Sequence, residues 1–158
     1  MPGLNFCSTV IFVKNIEASM KFYIEILNQV IKHDFGLNIM FKSNLSLWQI
    51  SDSHEISSVA GSSNKENKFE LYFETDDIDK EASRLKLQKV KFFHDIKTEP
   101  WGQKTIRFFD PDSHLIEIGE EFSIFLRRIF LETGSLKETS RKTGVQVNLI
   151  RETLKLSK

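Results

Sequence analysis

The stretch PWGQKTIRFFDPDSHLIEI, residues 100–118, has the pattern of a β-hairpin that carries a carboxylate. Residues 105–109 favour a strand, and residues 115–118 resume an apolar strand. Between them, residues 110–113 supply turn chemistry, because proline fixes φ and Asp and Ser side chains hydrogen-bond the nearby backbone. Glu117 alternates with two isoleucines, so its side chain lies on the opposite face of the strand. If that face is buried, the Glu117 carboxylate needs a partner.

The sequence also contains an internal repeat. The segments STVIFVKNIEASMKFY, residues 8–23, and ELYFETDDIDKEASRL, residues 70–85, each begin as an alternating strand and continue as an amphipathic helix. Asn15 and Asp77 are suitable N-cap residues for the two helices. The second module is predicted to follow the same order of elements as the first. In the first module, strands are predicted at 6–13, 30–35, 37–42 and 45–50, and a helix at 16–27.

These features resemble the vicinal-oxygen-chelate superfamily, which contains glyoxalase I, bleomycin-resistance proteins and extradiol dioxygenases. Glu117 matches the acidic residue that ends the family's DP-D-G-x-x-x-E-like segment, and Ser113 stands where Gly is usual. FYIEILN, residues 22–28, is similar to the family's FY-x-x-x-LG helix end. The resemblance implies an α+β fold in which two βαβββ modules form an open, barrel-like cleft. It also implies a homodimer. A bacterial subgroup described only as glyoxalase-like has runs similar to 70–73, 100–103 and 118–120.

The distribution of charge divides the chain at about residue 120, where the resemblance also ends. Of the 158 residues, 40% are hydrophobic and 28% are charged, which is typical of a globular protein. From Glu121 onward there are eight Lys and Arg and four Glu, whereas the remainder has an excess of acidic residues. The domains expected are a glyoxalase-like domain at 1–120, with module one at about 5–51, a linker at 52–68 and module two at 69–119, and a helical extension at 121–158.

Several classes of protein are excluded by what the sequence lacks. It has no apolar run long enough to span a membrane and no signal-peptide pattern, which predicts a cytoplasmic protein. A single cysteine, Cys7, excludes an internal disulfide. There is no phosphate-binding Gly-rich loop, no CxxC and no HExxH motif.

The helical extension has the layout of a helix-turn-helix unit. Apolar residues recur at three- and four-residue spacing over 122–130, and Gly134 ends that helix. Ser135 to Glu138 form a capping box that opens a second helix, and a third helix is predicted at 147–156. We favour a helical cap that packs on the sheets or on a second subunit over contact with nucleic acid, because the basic excess is small. A three-helix unit of this size also tends to need a surface to bury against.

Metal-dependent members of the superfamily place one ligand on the first and one on the last strand of each module, usually His, Gln or Glu. Here the first-strand positions fall at Ser8 and Glu70, each seven residues before the N-cap residue. The last-strand position falls at Trp48 in module one, or at Gln49 in a register shifted by one residue. In module two it falls at Glu117. The resemblance therefore implies a divalent-metal site of Glu70, Glu117 and Gln49, whose ligand set is incomplete because no position is His.

Without a tightly bound metal, Glu70 and Glu117 have other uses. Placed close together, they raise one another's proton affinity and can act as a general acid and base, with His94 as a further proton carrier. They can also receive a cationic ligand, or form salt bridges to Arg107 on the neighbouring strand. The predicted ligand-binding residues are Trp48, Tyr72, Trp101, Gln103, Arg107 and Phe109.

Three functions remain open at this stage. The first is a glyoxalase-like lyase or dioxygenase-type enzyme that acts on a small molecule. The second is a protein that sequesters an aromatic or cationic compound, as bleomycin-resistance proteins do, without changing a bond. The third, which we rank last, is a regulator that senses a ligand and uses its basic helical extension on DNA.

Overall fold

Two modules of the same plan, each with one helix and one four-stranded sheet, are followed by three helices. This computed structural model describes residues 7–53 and 70–156. The predicted α+β class, with two βαβββ modules and a C-terminal helical extension, is confirmed. Most of the predicted linker, and the start of the predicted first strand at Phe6, lie outside the described residues.

Module one forms a sheet in which the first and last strands are parallel neighbours. Its elements are β1 Thr9–Phe12, α1 Ile16–Glu25, β2 Ile31–Asp34, β3 Asn38–Phe41 and β4 Leu45–Trp48. The strand order is β1-β4-β3-β2. Asn15 caps α1 as predicted, because its side chain accepts the Ala18 amide. The α1 helix packs on β3 and β4, where Phe41 and Leu47 are fully buried.

Module two repeats this arrangement. Its elements are β5 Glu70–Thr75, α2 Ile78–Leu87, β6 Lys91–Thr98, β7 Lys104–Phe109 and β8 Leu115–Glu120. The strand order is β5-β8-β7-β6, again with the first and last strands parallel. Asp77 caps α2 as predicted. One face of the sheet is apolar, with Ile106, Phe108 and Ile116 fully buried, and α2 packs on β6, β7 and β8. The opposite face is polar and carries the candidate site.

The turn between β7 and β8 forms where the sequence predicts it, and its residues belong to the same compact unit as module one. Asp110 accepts the backbone amides of Asp112 and His114 through Oδ1. Its Oδ2 accepts the buried Tyr23 hydroxyl at 3.0 Å and lies 2.8 Å from Nδ1 of His114. Ser113 has φ +69°, which explains why Gly is usual at this position.

The helical extension contains α3 Phe122–Thr133, α4 Leu136–Thr143 and α5 Val147–Leu154. As predicted, Gly134 ends α3, and Ser135 caps α4 by accepting the Glu138 amide. The three helices share a core of Phe125, Leu126, Ile129, Ile150 and Leu154, against which Phe122, Phe130, Leu136, Val145 and Leu156 pack. The extension therefore has a core of its own, and it also packs on module two, since Ile129 lies beside Gly102 in the connection between β6 and β7. None of the described helices has the length and apolar content that crossing a lipid bilayer requires.

Candidate ligand-binding site

Arg107 lies among three carboxylates on the polar face of the second sheet. Its Nε is 3.2 Å from Glu70 Oε2, and its Nη1 is 2.6 Å from Glu99 Oε1. Its Nη2 contacts Glu117 Oε2 as an ion pair without hydrogen-bond geometry. Arg107 is thus the partner that the buried Glu117 requires. One guanidinium serves three carboxylates, and Glu117 Oε2 has no hydrogen-bond donor among the described residues.

Strand register brings these side chains together. Arg107 on β7 is directly opposite Glu117 on β8 and is also paired with His94 on β6. Glu99 follows β6 in the tight connection to β7, where its amide donates to the carbonyl of Gln103. The Glu99 carboxylate is buried and also accepts the Thr105 hydroxyl at 3.0 Å.

Sequence reasoning missed Glu99. The signal that could have found it is the Pro-Trp-Gly turn at 100–102, because a hairpin closed there places residue 99 across from residues 103–105.

The electrostatic environment shifts the pKa values of Glu117 and Glu99 in opposite directions. Burial raises the pKa of Glu117; Arg107 acts against this, and the neighbouring Glu70 and Glu99 carboxylates raise the pKa further. The hydrogen bond from Arg107 is the main cause that lowers the pKa of Glu99, and the Thr105 hydroxyl adds to it. Glu117 is therefore the member of this pair that holds a proton more readily.

His94 lies beside the same guanidinium. Its Nδ1 is 2.7 Å from the Asp95 carbonyl, and its Nε2 is 3.2 Å from Arg107 Nη1. A carbonyl only accepts and a guanidinium only donates, so these contacts assign the proton to Nδ1 and leave Nε2 as the acceptor. The predicted proton carrier is thus brought to the cluster, with its acceptor nitrogen occupied by Arg107.

A chain of hydrogen bonds continues along the same face. Trp101 Nε1 donates to Gln103 Oε1 at 3.2 Å, and Gln103 Nε2 donates to the Tyr72 hydroxyl at 3.0 Å and to the Glu120 carbonyl at 2.9 Å. The Tyr72 hydroxyl donates to Glu74 Oε1 at 3.1 Å. Burial is the main cause that raises the pKa of Tyr72 to about 12. Tyr72 therefore keeps its proton at neutral pH and remains a donor.

Gly119 makes room for this chain. A Cβ at Gly119 would lie 2.8 Å from Tyr72 Oη and 2.9 Å from Gln103 Nε2, closer than real Cβ contacts allow. Sequence reasoning gave Gly119 no role, although a glycine inside a strand signals close approach of another group.

Aromatic rings lie on or beside the polar face. Tyr72 is 48%, Trp101 40% and Phe93 65% exposed. Phe109 packs edge-on against Phe93, with ring centroids 6.2 Å apart. The predicted Trp48 lies in β4 of module one, where its ring is 6.0 Å from that of Phe12.

In module one, the positions that match Glu70 and Glu117 hold two serines. In module one, Ser46 is paired with Val10, which lies five residues before the cap of α1. In module two, Glu117 is paired with Tyr72, which lies five residues before the cap of α2. The register therefore places Ser46, rather than the predicted Trp48 or Gln49, at the last-strand position. Ser46 and Ser8 are hydrogen-bonded, with their Oγ atoms 2.8 Å apart.

The residues present do not fit a transition-metal centre. Gln49 Oε1 accepts the Ile16 amide at 2.7 Å at the start of α1. Glu70 and Glu117 share a permanently charged guanidinium, with which a metal ion would have to compete. Within residues 7–53 and 70–156, no group of three or more His, Cys, Asp or Glu side chains is arranged to hold a metal ion.

The glyoxalase-like domain family model matches residues 6–123. A protein of unknown function from Agrobacterium tumefaciens is 28% identical, with a TM-score of 0.63, and the match covers 77% of this chain and 98% of that one. A lactoylglutathione lyase from the same organism is 19% identical, with a TM-score of 0.56 and coverage of 76% and 96%. A glyoxalase/bleomycin resistance protein/dioxygenase from Nocardioides is 18% identical, with a TM-score of 0.60 and coverage of 76% and 85%. No curated protein matches this sequence.

Proposed function

Because the chain belongs to the glyoxalase-like domain family, we propose that it binds a small organic cation on the polar face of its second sheet and needs no resident metal to do so. The observation that carries this proposal is Arg107, which contacts Glu70, Glu99 and Glu117 at the point where metal-dependent relatives are expected to hold an ion.

The charge balance of this face favours a positively charged ligand. Among the described residues, its four acidic side chains outnumber its cations, which are Arg107, the exposed Lys97, 3.9 Å from Glu99, and the exposed Lys91, whose Nζ is 5.4 Å from the centre of the Phe109 ring. A cation about 4 Å from one carboxylate gains roughly 1–4 kcal/mol near a protein surface. The acidic side chains are Glu70, Glu74, Glu99 and Glu117.

The exposed rings favour a ligand with a flat or apolar part. Tyr72 and Trp101 belong to one hydrogen-bonded chain, so their positions are fixed before a ligand arrives. An organic cation over an aromatic ring gains cation–π attraction in addition to the carboxylate contact. Sequestration of a cationic aromatic compound, the second function that the sequence left open, therefore agrees best with this surface.

A matched pair of ligands tests the proposal. Benzyltrimethylammonium and its uncharged isostere neopentylbenzene differ in charge and hardly in shape. We expect the cation to bind about tenfold more tightly than the uncharged compound. Tryptophan fluorescence and the shift of the thermal midpoint measure the binding. Glu74→Gln should weaken binding of the cation, whereas Glu152→Gln, which removes an exposed carboxylate from α5, should not. Equal affinity for both ligands, or equal effects of both variants, would overturn the proposal.

Proton transfer is a second candidate function, which the opposite pKa shifts of Glu117 and Glu99 favour. In this case Glu117 removes a proton from a carbon next to a carbonyl group and returns it. The protein in D₂O should then exchange such a proton in one of a set of α-hydroxyketones, as followed by NMR, and Glu117→Gln should abolish the exchange. If no compound in the set exchanges a proton, this second candidate is overturned.

A further inference from the structure

We propose that the helical extension is a DNA-binding helix-turn-helix unit, with α5 as the helix that enters the major groove. The α4 and α5 helices are joined by only three residues, Gly144, Val145 and Gln146. Gly144 ends α4 in the left-handed conformation, with φ +75°. A short turn that contains glycine between two helices, with a third helix packed on them, is the arrangement of this motif.

The internal core of the extension removes one of the two objections to this assignment. A three-helix unit that lacked its own core would have to use its apolar faces on the sheets or on a second subunit. Here Phe125 and Ile129 of α3 and Ile150 and Leu154 of α5 are buried in one cluster. These four apolar residues are thus buried without a second subunit, and the exposed faces of α4 and α5 remain for a polar partner.

The exposed residues at the start of α5 suit the edges of base pairs. Gln146 and Asn148 are exposed, and amide side chains form paired hydrogen bonds with adenine in the major groove. Leu149 is also exposed and offers an apolar contact for the methyl group of thymine. Ile150 and Leu154 hold the other side of the same helix in the core.

Charge complementarity favours DNA over a neutral or basic partner. The extension has eight Lys and Arg and four Glu, in a chain whose net charge is zero. Lys137 and Lys155 are exposed and belong to none of the ion pairs of the described residues. Arg141 pairs with Glu138 at a highly exposed site, where such a pair contributes little and can be exchanged for a phosphate contact.

The extension is also an addition to the glyoxalase-like fold. The family model ends at residue 123, before α4 and α5. The three solved structures are matched over 85–98% of their own lengths but cover only 76–77% of this chain. In the two Agrobacterium tumefaciens structures, matched over 98% and 96% of their lengths, little chain is left outside the match.

Binding of the full-length protein to a labelled pool of random-sequence duplexes, about two helical turns long, tests the electrostatic part of the proposal. We expect measurable binding at 50 mM salt and a logarithm of affinity that falls linearly with the logarithm of salt concentration. The triple variant Lys137→Gln/Arg141→Gln/Lys155→Gln should lose at least about tenfold in affinity. Its salt slope should decrease by about 0.9 for each phosphate that the variant no longer neutralises.

The matched control removes the same charge from the first two modules. Lys21, Lys32 and Lys80 are exposed, so the triple Lys→Gln variant at these positions should keep the affinity of the unaltered protein. Far-UV circular dichroism shows whether each variant is folded. Equal losses in the two triple variants would overturn the proposal, and so would absence of duplex binding at 50 mM salt. A change in oligomeric state alone would instead assign the extension to subunit contact.

Sequence readout is tested separately. Rounds of selection from the same pool should enrich a particular sequence, and Gln146→Ala/Asn148→Ala should abolish the enrichment while leaving the salt-dependent, non-specific binding intact. Unchanged enrichment in this double variant would overturn the assignment of α5 as the reading helix.

Discussion

Arg107 shows how one side chain decides what a site can hold. A guanidinium cannot lose its charge in a protein, and its planar donors match carboxylates. It contacts Glu70, Glu99 and Glu117, so it supplies the positive charge that an ion would otherwise supply. In module one the corresponding positions hold no charge at all, because Ser8 and Ser46 satisfy one another.

Replacing Arg107 should destabilise the protein in a manner that depends on pH. Arg107→Gln leaves the buried Glu99 and Glu117 without their counter-charge, at a cost of about 3 kcal/mol or more at neutral pH. Both carboxyls then bind protons more tightly in the folded than in the unfolded state. The folded variant therefore binds more protons, so its free energy of unfolding should decrease as the pH rises from 5 to 8. Urea unfolding across this range measures the effect.

In the unaltered protein, the Glu117 and Glu99 carboxyls have opposite effects on how the free energy of unfolding changes with pH. Glu117 has a raised pKa, so it stabilises the folded state at low pH and ceases to do so as the pH rises through its folded pKa. Glu99 has a lowered pKa, so it stabilises the folded state above the ordinary glutamate range and ceases to do so as the pH falls through its folded pKa. Arg141→Gln is the control, because the Arg141 side chain is 80% exposed and its one ion-pair partner among the described residues is the nearby Glu138. A loss in Arg107→Gln that does not vary with pH would contradict the electrostatic explanation.

At the residue scale, local pattern predicts faces but not partners. Alternation places Glu117 opposite Ile116 and Ile118, and the structure confirms that arrangement. Which cation the carboxylate meets depends on the register between two strands, so Arg107 was only one of several alternatives. Glu99 was missed for the same reason, since its contact with Arg107 depends on how β6 and β7 pair.

At the scale of helices and strands, caps and turns were predicted because their chemistry is local. Asn15, Asp77, Ser135 and Gly134 each end or begin a helix as expected. The end of β4 was less well predicted, because an apolar run fixes neither its register nor its last residue. The last-strand position of module one therefore falls at Ser46 instead of Trp48 or Gln49.

Arg128 of α3 contacts the connection between β6 and β7. Its Nη2 donates to the Gly102 carbonyl at 2.7 Å and to Glu120 Oε2 at 2.6 Å. Arg128→Gln leaves the buried Glu120 carboxylate without its cation, so it should cost about 2–4 kcal/mol in urea unfolding. It should also weaken binding of benzyltrimethylammonium, because Gln103, which holds Tyr72, is next to Gly102.

Arg127 provides the matched control for that prediction. It is the neighbouring arginine of α3, it is exposed, and none of the ion pairs of the described residues includes it. Arg127→Gln should change the free energy of unfolding by less than about 0.5 kcal/mol and leave ligand affinity unchanged. Equal effects of the two substitutions would show that α3 does not act through the Arg128 contacts.

At the scale of the whole molecule, a net charge of zero conceals two regions of opposite charge. The extension is basic and the first two modules are acidic, which suits DNA for the one and a cationic ligand for the other. The sequence predicted this division because charge can be counted without a structure. It did not predict the self-contained core of the extension, because the packing partners of an apolar helix face are not local information. Homodimerisation and a cytoplasmic location stay predictions.

The whole protein should hold no stoichiometric transition metal. Purified without a histidine tag, it should contain well below one equivalent by elemental analysis, and a chelator should not change its thermal midpoint. The reason is the Arg107 guanidinium, which repels a divalent ion from Glu70 and Glu117. Arg107→Ala removes this competitor and leaves oxygen ligands of the kind that Mn²⁺ accepts.

The thermal midpoint of Arg107→Ala should therefore rise with added Mn²⁺, because an ion that binds only the folded state stabilises it, whereas the unaltered protein should not respond. Arg84→Ala is the control, because it breaks an ion pair with Glu81 on α2 instead. Near one equivalent of metal in the unaltered protein would contradict this prediction. So would a rise with Mn²⁺ that is the same in all three proteins, since the guanidinium would then have no part in excluding the ion.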